Sequence, residues 1–184
     1  MSPTFGAALW TMDYSLKAAS SHVARTYFHH GTISNCYYCW WGRYSMGTPY
    51  YGAYMATAAM AGGAHILALD DGKTNYAVYL IYDSLSNPLR AVLYNSDFYN
   101  GAGTRGSQTF VLSGLTSGSV KAKRLTALSA LSRQDKGERA TFGQQAFTDG
   151  TCMISGTESL ETFSVVRGTA TFKVLASEAL LVYL

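Results

Sequence analysis

The residues best equipped for chemistry are crowded into one short stretch: His29, His30, Tyr37, Tyr38, Trp40, Trp41, Arg43 and Tyr44. Aromatic rings cover the apolar C–H face of a pyranose, imidazole and phenol groups pair with its hydroxyls, and an arginine grips a uronate carboxylate with two parallel hydrogen bonds. The stretch therefore reads as a carbohydrate-binding surface. The same residue types also serve to cover a core or an interface between domains, so both uses remain open at this level.

Other candidate chemistries are weaker. Cys36 and Cys39 lie beside His29 and His30, but a structural zinc site needs a second well-spaced ligand pair, and adjacent histidines on a strand face opposite ways. A local disulfide or two packed thiols is the expectation, with no metal. Asp70 with Asp71, and Glu158 with Glu161, form carboxylate pairs; the first is turn material, the second flanks a polar connection, and both are expected to be solvated charges. No catalytic residue is assigned. No spacing argument joins His29 or His30 to Asp97 or Glu178. Gly101, Gly103 and Gly106 match a dinucleotide fingerprint in spacing, but a strand and not a helix follows, so a wide hairpin loop is expected and no cofactor is implied.

These groups need elements to position them. Residues 5–20 place Leu9, Met12 and Leu16 on one face with Trp10 and Tyr14 beside it, predicting an amphipathic helix. Residues 23–29 read as a strand, and a Gly-, Tyr- and Trp-rich connection follows to Thr48. Pro49 opens a second helix that Gly62 and Gly63 close. From Ala64 the period changes to two. Strands are expected at 65–69, 75–83, 89–95, 108–112, 120–125, 151–154, 161–165, 169–174 and 179–183, with turns at Asp71-Gly72 and Ser86-Asn87-Pro88. The polar stretch 132–150 is expected to be a long surface loop. The fold class is mainly β: an antiparallel β-sandwich preceded by a helix–strand–helix segment, with the boundary between 62 and 63.

Composition narrows the classes. The 184 residues are 48% hydrophobic and 14% charged, with 14 Tyr and 18 Gly, a balance suited to a globular β-rich domain. A net charge of +3 with scattered basic residues argues against a nucleic-acid partner. No apolar run reaches membrane-spanning length, and the first residues lack a signal peptide pattern, so the chain as given is expected to be soluble with no membrane partner. Three cysteines allow at most one internal disulfide.

Several separated segments agree with one family. Gly6-Ala7-Ala8-Leu9-Trp10-Thr11-Met12-Asp13-Tyr14 and Arg25-Thr26-Tyr27-Phe28-His29-His30-Gly31-Thr32 resemble the end of the catalytic domain in fungal family 79 glycoside hydrolases, which include β-glucuronidases and heparanase-like enzymes. Pro49-Tyr50-Tyr51-Gly52-Ala53-Tyr54, Arg90-Ala91-Val92-Leu93-Tyr94-Asn95-Ser96 and the closing Ala176-Ser177-Glu178-Ala179-Leu180-Leu181-Val182-Tyr183-Leu184 resemble its C-terminal β domain. The resemblance implies a (β/α)8 barrel carrying an acid/base and a nucleophile glutamate, both expected before the start of this chain, with a β-sandwich packed against it. Residues 7–20 would be a late barrel helix and 23–29 the final barrel strand. The implied function is a non-catalytic β domain of an enzyme acting on glucuronide-type glycans, inactive alone and bordering the sugar pocket. A stand-alone lectin-like protein is the alternative. Secretion follows from the resemblance, and surface bared without a barrel predicts association with that barrel or with a second copy.

Overall fold

The computed structural model describes residues 3–29 and 38–184. Helix α1 (Phe5–Ser20) buries Phe5, Ala8, Leu9, Met12 and Leu16, the helical spacing anticipated above. Its first N–H groups would be orphaned, but Phe5 N donates to Ser132 O and Gly6 N to Ala130 O, both at 2.8 Å. Helix α2 (Tyr50–Met60) begins after Pro49 and crosses α1 at Gly52, where an added Cβ would sit 1.8 Å from the Ala8 carbonyl oxygen. That close approach requires glycine.

Eleven strands follow. Strands β1 (His65–Ala68), β2 (Tyr76–Tyr82), β3 (Pro88–Asn95), β5 (Ser119–Thr126), β6 (Thr141–Phe142), β9 (Glu161–Ser164) and β11 (Glu178–Tyr183) form an antiparallel sheet in the order β1-β2-β3-β11-β5-β6, with β9 also on β5. Strand β4 (Ser107–Ser113) pairs with β10 (Thr169–Leu175) as a ribbon, and β7 (Ala146–Phe147) pairs with β8 (Ile154–Ser155). The large sheet has two covered faces. On one, Tyr79, Ile81, Val92, Leu125, Ala179 and Leu181 meet α1 and α2. On the other, Ala91, Leu93, Ala122, Leu180 and Val182 meet Phe110, Phe172 and Val174 of the ribbon. Central strands β3 and β11 are buried on both sides, which explains their unbroken apolar runs.

Four expectations are corrected. Residues 23–29 are not in a strand; the segment is exposed along Val23, Ala24, Arg25, Tyr27 and His29, while Thr26 and Phe28 are half-buried. The alternation is that of a strand, but no neighbour completes a ladder among the described residues. The stretch 132–150 is not a surface loop: it buries Ser132, Gln134, Ala140, Phe142, Ala146 and Phe147 and carries a 3-10 turn at Gln134–Lys136 plus β6 and β7. Two isolated phenylalanines in polar surroundings have no period for a sequence reading to detect. The 96–106 connection is no hairpin either, since it carries the chain from the large sheet to the β4–β10 ribbon. The strand expected at 151–154 shrinks to Ile154–Ser155.

Candidate functional site

The loop 38–47 folds into a small hairpin. Trp41 and Met46 form an antiparallel bridge, Gly42 N donates to Ser45 O at 2.8 Å and Gly47 N to Trp40 O at 2.6 Å. The two tryptophans meet different fates. Trp40 is buried, its ring 4.7 Å from that of Phe28. Trp41 is 40% exposed and stands edge-on to Tyr50 at 6.0 Å. Arg43 lies over the exposed Tyr44 ring at 5.1 Å, and the Tyr44 carbonyl accepts from Gly150 N at 2.6 Å. Trp41, Gly42, Arg43, Met46, Tyr50 and Cys152 line a groove of about 490 Å³, within the usual range of ligand sites.

Of the residues singled out from sequence, Trp41 and Arg43 therefore share one groove, with Tyr44 packed against Arg43. Tyr38 lies on another side, in a cavity with Ser45, Gln134, Asp135 and Asp149. Burial, then the Asp135 charge, raises its hydroxyl above the ordinary tyrosine range. Trp40 serves packing, and His29 is exposed. His30, Tyr37 and Cys36 lie outside the described residues. Cys39 is disulfide-bonded and Cys152 is a free thiol. Among the described residues no group of His, Cys, Asp and Glu has the geometry to hold a metal ion.

An aromatic cluster continues from Trp40. Trp10 stacks on Tyr14 with centroids 5.2 Å apart, Phe28 stands edge-on to each at 5.8 Å, and Trp10 and Tyr14 are 46% and 47% exposed. The outer face of α1 thus presents rings to solvent beside the 23–29 segment, which pairs with no strand among the described residues.

Of the two carboxylate pairs expected to be solvated, Asp71, Glu158 and Glu161 keep much of their exposure, and both pairs also make ion pairs. Glu158 accepts from the nearly buried Lys123 at 2.6 Å. Glu161 grips Arg124 through two bonds of 2.7 Å, while Glu178 holds Arg124 at 2.8 Å and Thr126 at 2.6 Å. Burial disfavours the Arg124 cation, but Glu161 and Glu178 hold its pKa above the ordinary value. Asp71 remains exposed, whereas Asp70 pairs with Lys17 at 3.3 Å and leaves its Oδ2 buried with no donor among the described residues.

Asp70 shares a cavity of about 160 Å³ with Asp13, Lys17, Tyr79 and Tyr94. Tyr79 donates to Asp13 Oδ1 at 2.5 Å. Burial raises the Asp13 pKa most, the Tyr79 bond lowers it, Asp70 raises it and Lys17 lowers it, with a net upward shift. Burial and the Asp13 bond push Tyr79 up in turn. The cavity holds two carboxylates, yet it is about half the smallest usual ligand site and Lys17 already lies in it. No spacing in the sequence announces this cluster, because its members come from α1, the β1–β2 connection, β2 and β3.

Comparisons with known proteins agree with this architecture. A crystal structure of a 4-O-alpha-L-rhamnosyl-beta-D-glucuronidase from Fusarium oxysporum 12S, in complex with Rha-GlcA, superposes with a TM-score of 0.92 at 53% identity. It covers 100% of this chain and 40% of that one. A beta-glucuronidase of Aspergillus niger is 37% identical over 92 residues, 44% of this chain and 17% of its own length. The chain thus spans well under half of either relative. The model of the glycosyl hydrolase family 79 C-terminal beta domain matches residues 75–181, and with more than half of the chain matched, this protein belongs to that family.

Proposed function

We propose that this chain is the non-catalytic C-terminal region of a family 79 β-glucuronidase, packing against a catalytic barrel and bordering its sugar pocket. The carrying observation is the 23–29 segment. It alternates between half-buried Thr26 and Phe28 and exposed Arg25, Tyr27 and His29, and stands without a strand partner among the described residues. An unpaired row of backbone donors and acceptors is a template for a neighbouring strand, and the final strand of a barrel would need one on each side. In this reading residues 1–62 end the barrel and 63–184 form the β-sandwich domain.

The carboxylates support the non-catalytic part. A retaining glycosidase needs two carboxyl groups about 5 Å apart across an accessible bond. Here Glu158, Glu161 and Glu178 are held by cations, Asp83 accepts from Leu85 N, Asn87 N and the Asn87 side chain, and Asp97 accepts from Asn75 and Tyr76. The groove of Trp41 and Arg43 supplies a ring platform and a cation for a uronate without a nucleophilic carboxylate in its lining. The glucuronidase names of the two relatives support that substrate class. The disulfide at Cys39 suits an oxidising compartment and supports secretion. The lectin-like alternative is not favoured, since the likeness to the Fusarium enzyme extends over the whole chain, helices included.

Purified chain should give no turnover of an aryl β-D-glucuronide. When it is supplied with the separately expressed barrel of a family 79 enzyme, activity should appear and depend on both pieces. Hydrolysis that follows the chain alone through successive purification steps would overturn the proposal.

A further inference from the structure

Asn100 and Gly101 form the one Asn-Gly pair in the chain, in the connection between β3 and β4. Both are exposed, as are Ala102 and Gly103. Asn100 Oδ1 accepts from Ala102 N at 3.0 Å. That bond fixes which way the amide faces, since an N–H needs an oxygen opposite it, and it draws the side chain forward over the Gly101 peptide unit. Gly101 N donates to nothing among the described residues, and Asn100 Nδ2 is equally unengaged there. Gly101 has a φ of 97°, a conformation that glycine adopts freely, and without a Cβ it leaves its own nitrogen unshielded.

The other described asparagines lack this combination. Asn95 is buried, its Nδ2 donates to Val174 O at 3.2 Å, and its Oδ1 accepts from Asp97 N at 3.0 Å. The nitrogen that follows it, Ser96 N, donates to Asn75 O at 2.8 Å. Asn75 itself donates to Asp97 Oδ1 at 2.8 Å and precedes the bulky Tyr76. Asn87 precedes Pro88, which has no N–H to lose. We propose that Asn100 is a site of self-modification, converted to aspartate and isoaspartate by its own backbone and water. Gly101 N gives its proton to solvent base and attacks Asn100 Cγ. The Cγ–Nδ2 bond breaks, the departing amine takes a proton from water and leaves as ammonia, and a cyclic imide remains. Water then opens the imide at either carbonyl. One opening gives aspartate, the other isoaspartate, whose main chain runs through the former side chain. The product bears on α1. Tyr99 O accepts from Ala130 N at 2.9 Å, Tyr99 N donates to Ser177 Oγ at 3.0 Å, and a Cβ on Gly101 would sit 3.4 Å from Ser129 Cβ. The turn seated in this way supplies Ala130 O and Ser132 O to the first N–H groups of α1. Isoaspartate inserts a methylene into the main chain beside Tyr99, displaces that seat and weakens the hold on the start of α1.

The test is timed incubation of the folded chain in mildly alkaline buffer, followed by proteolysis and peptide mass spectrometry. The Asn100 peptide should pass to its acid form and to a separately eluting isoaspartyl form, faster as pH rises, with ammonia released in step. Asn95 should convert more than about tenfold more slowly, because β3 must first open to free it, and should catch up when urea unfolds the chain. Asn100→Ser keeps an oxygen acceptor for Ala102 N; its loop should release no ammonia, and its melting temperature should not fall on incubation, whereas that of the parent should. A folded chain that keeps Asn100 as the amide while the unfolded chain converts it would overturn the proposal, as would conversion of Asn95 at an equal rate in the folded state. Full conversion of Asn100 with no fall in melting temperature would overturn the consequence for α1.

Discussion

Asp13 shows how a single residue acquires properties its neighbours in sequence do not imply. It lies on α1 between Met12 and Tyr14, but its environment comes from Tyr79, Asp70, Lys17 and Tyr94. Its folded pKa is raised above 3.8, first by burial. A carboxyl that holds its proton more tightly when folded stabilises the fold below its unfolded pKa, and that contribution is lost as pH rises through the folded value. Asp13→Asn should therefore melt at a temperature closer to the parent's in acid and higher relative to it at neutral pH. Calorimetry across about pH 4 to 7 would refute this if the difference between variant and parent did not grow with pH. The adjacent tryptophans make a second contrast. Trp40→Ala removes a buried ring packed on Phe28 and should cost about 3 to 5 kcal/mol. Trp41→Ala, at a half-open groove, should cost under about 1.5 kcal/mol by chemical denaturation.

At the scale of elements, the helix pair and the 132–150 stretch decide how the candidate site is held. Gly52 lets α2 touch the α1 backbone at Ala8. Gly52→Ala forces those backbones apart and should destabilise by about 3 kcal/mol, the upper range for overpacking, visible as a lower denaturation midpoint with little change in far-ultraviolet circular dichroism of the folded form. From α2, the Tyr51 hydroxyl accepts from Phe147 N at 2.8 Å, while Thr48 accepts from Gln134 N. These two bonds seat the 132–150 stretch against the hairpin that carries Trp41. Its role was illegible in sequence because polar residues dominate it and only Phe142 and Phe147 mark burial. Helix α1 and the long strands were legible, since each carries a period of its own. The 23–29 stretch reads as a strand for the same reason, but a strand exists only when another supplies the ladder.

At the scale of the molecule, three layers share one sheet: two helices on one face and the β4–β10 ribbon on the other. Among the described residues, Trp10 and Tyr14 on α1 and Tyr27 in the segment after it are exposed large rings, the last 82% exposed. Apolar surface of this kind promotes association. Without a barrel partner the chain should self-associate in a concentration-dependent manner by sedimentation equilibrium, and Trp10→Ser with Tyr27→Ser should shift it toward monomer. A parent chain that stays monomeric over a hundredfold range of concentration, roughly 3 kcal/mol in association free energy, would contradict this.

The sequence by itself determined both helices, nearly all the long strands, the family likeness and the aromatic stretch around Trp41, because hydrophobic period and residue type are local quantities. Tertiary structure alone decided that Trp40 is core and Trp41 surface, that Glu158 and Glu161 are ion-paired, and that Asp13 and Asp70 face one cavity. It alone left Gln134 Oε1 buried with no donor among the described residues. Those properties depend on which remote segments supply low dielectric, opposite charge or a hydrogen-bond partner, and a linear pattern carries no record of such neighbours.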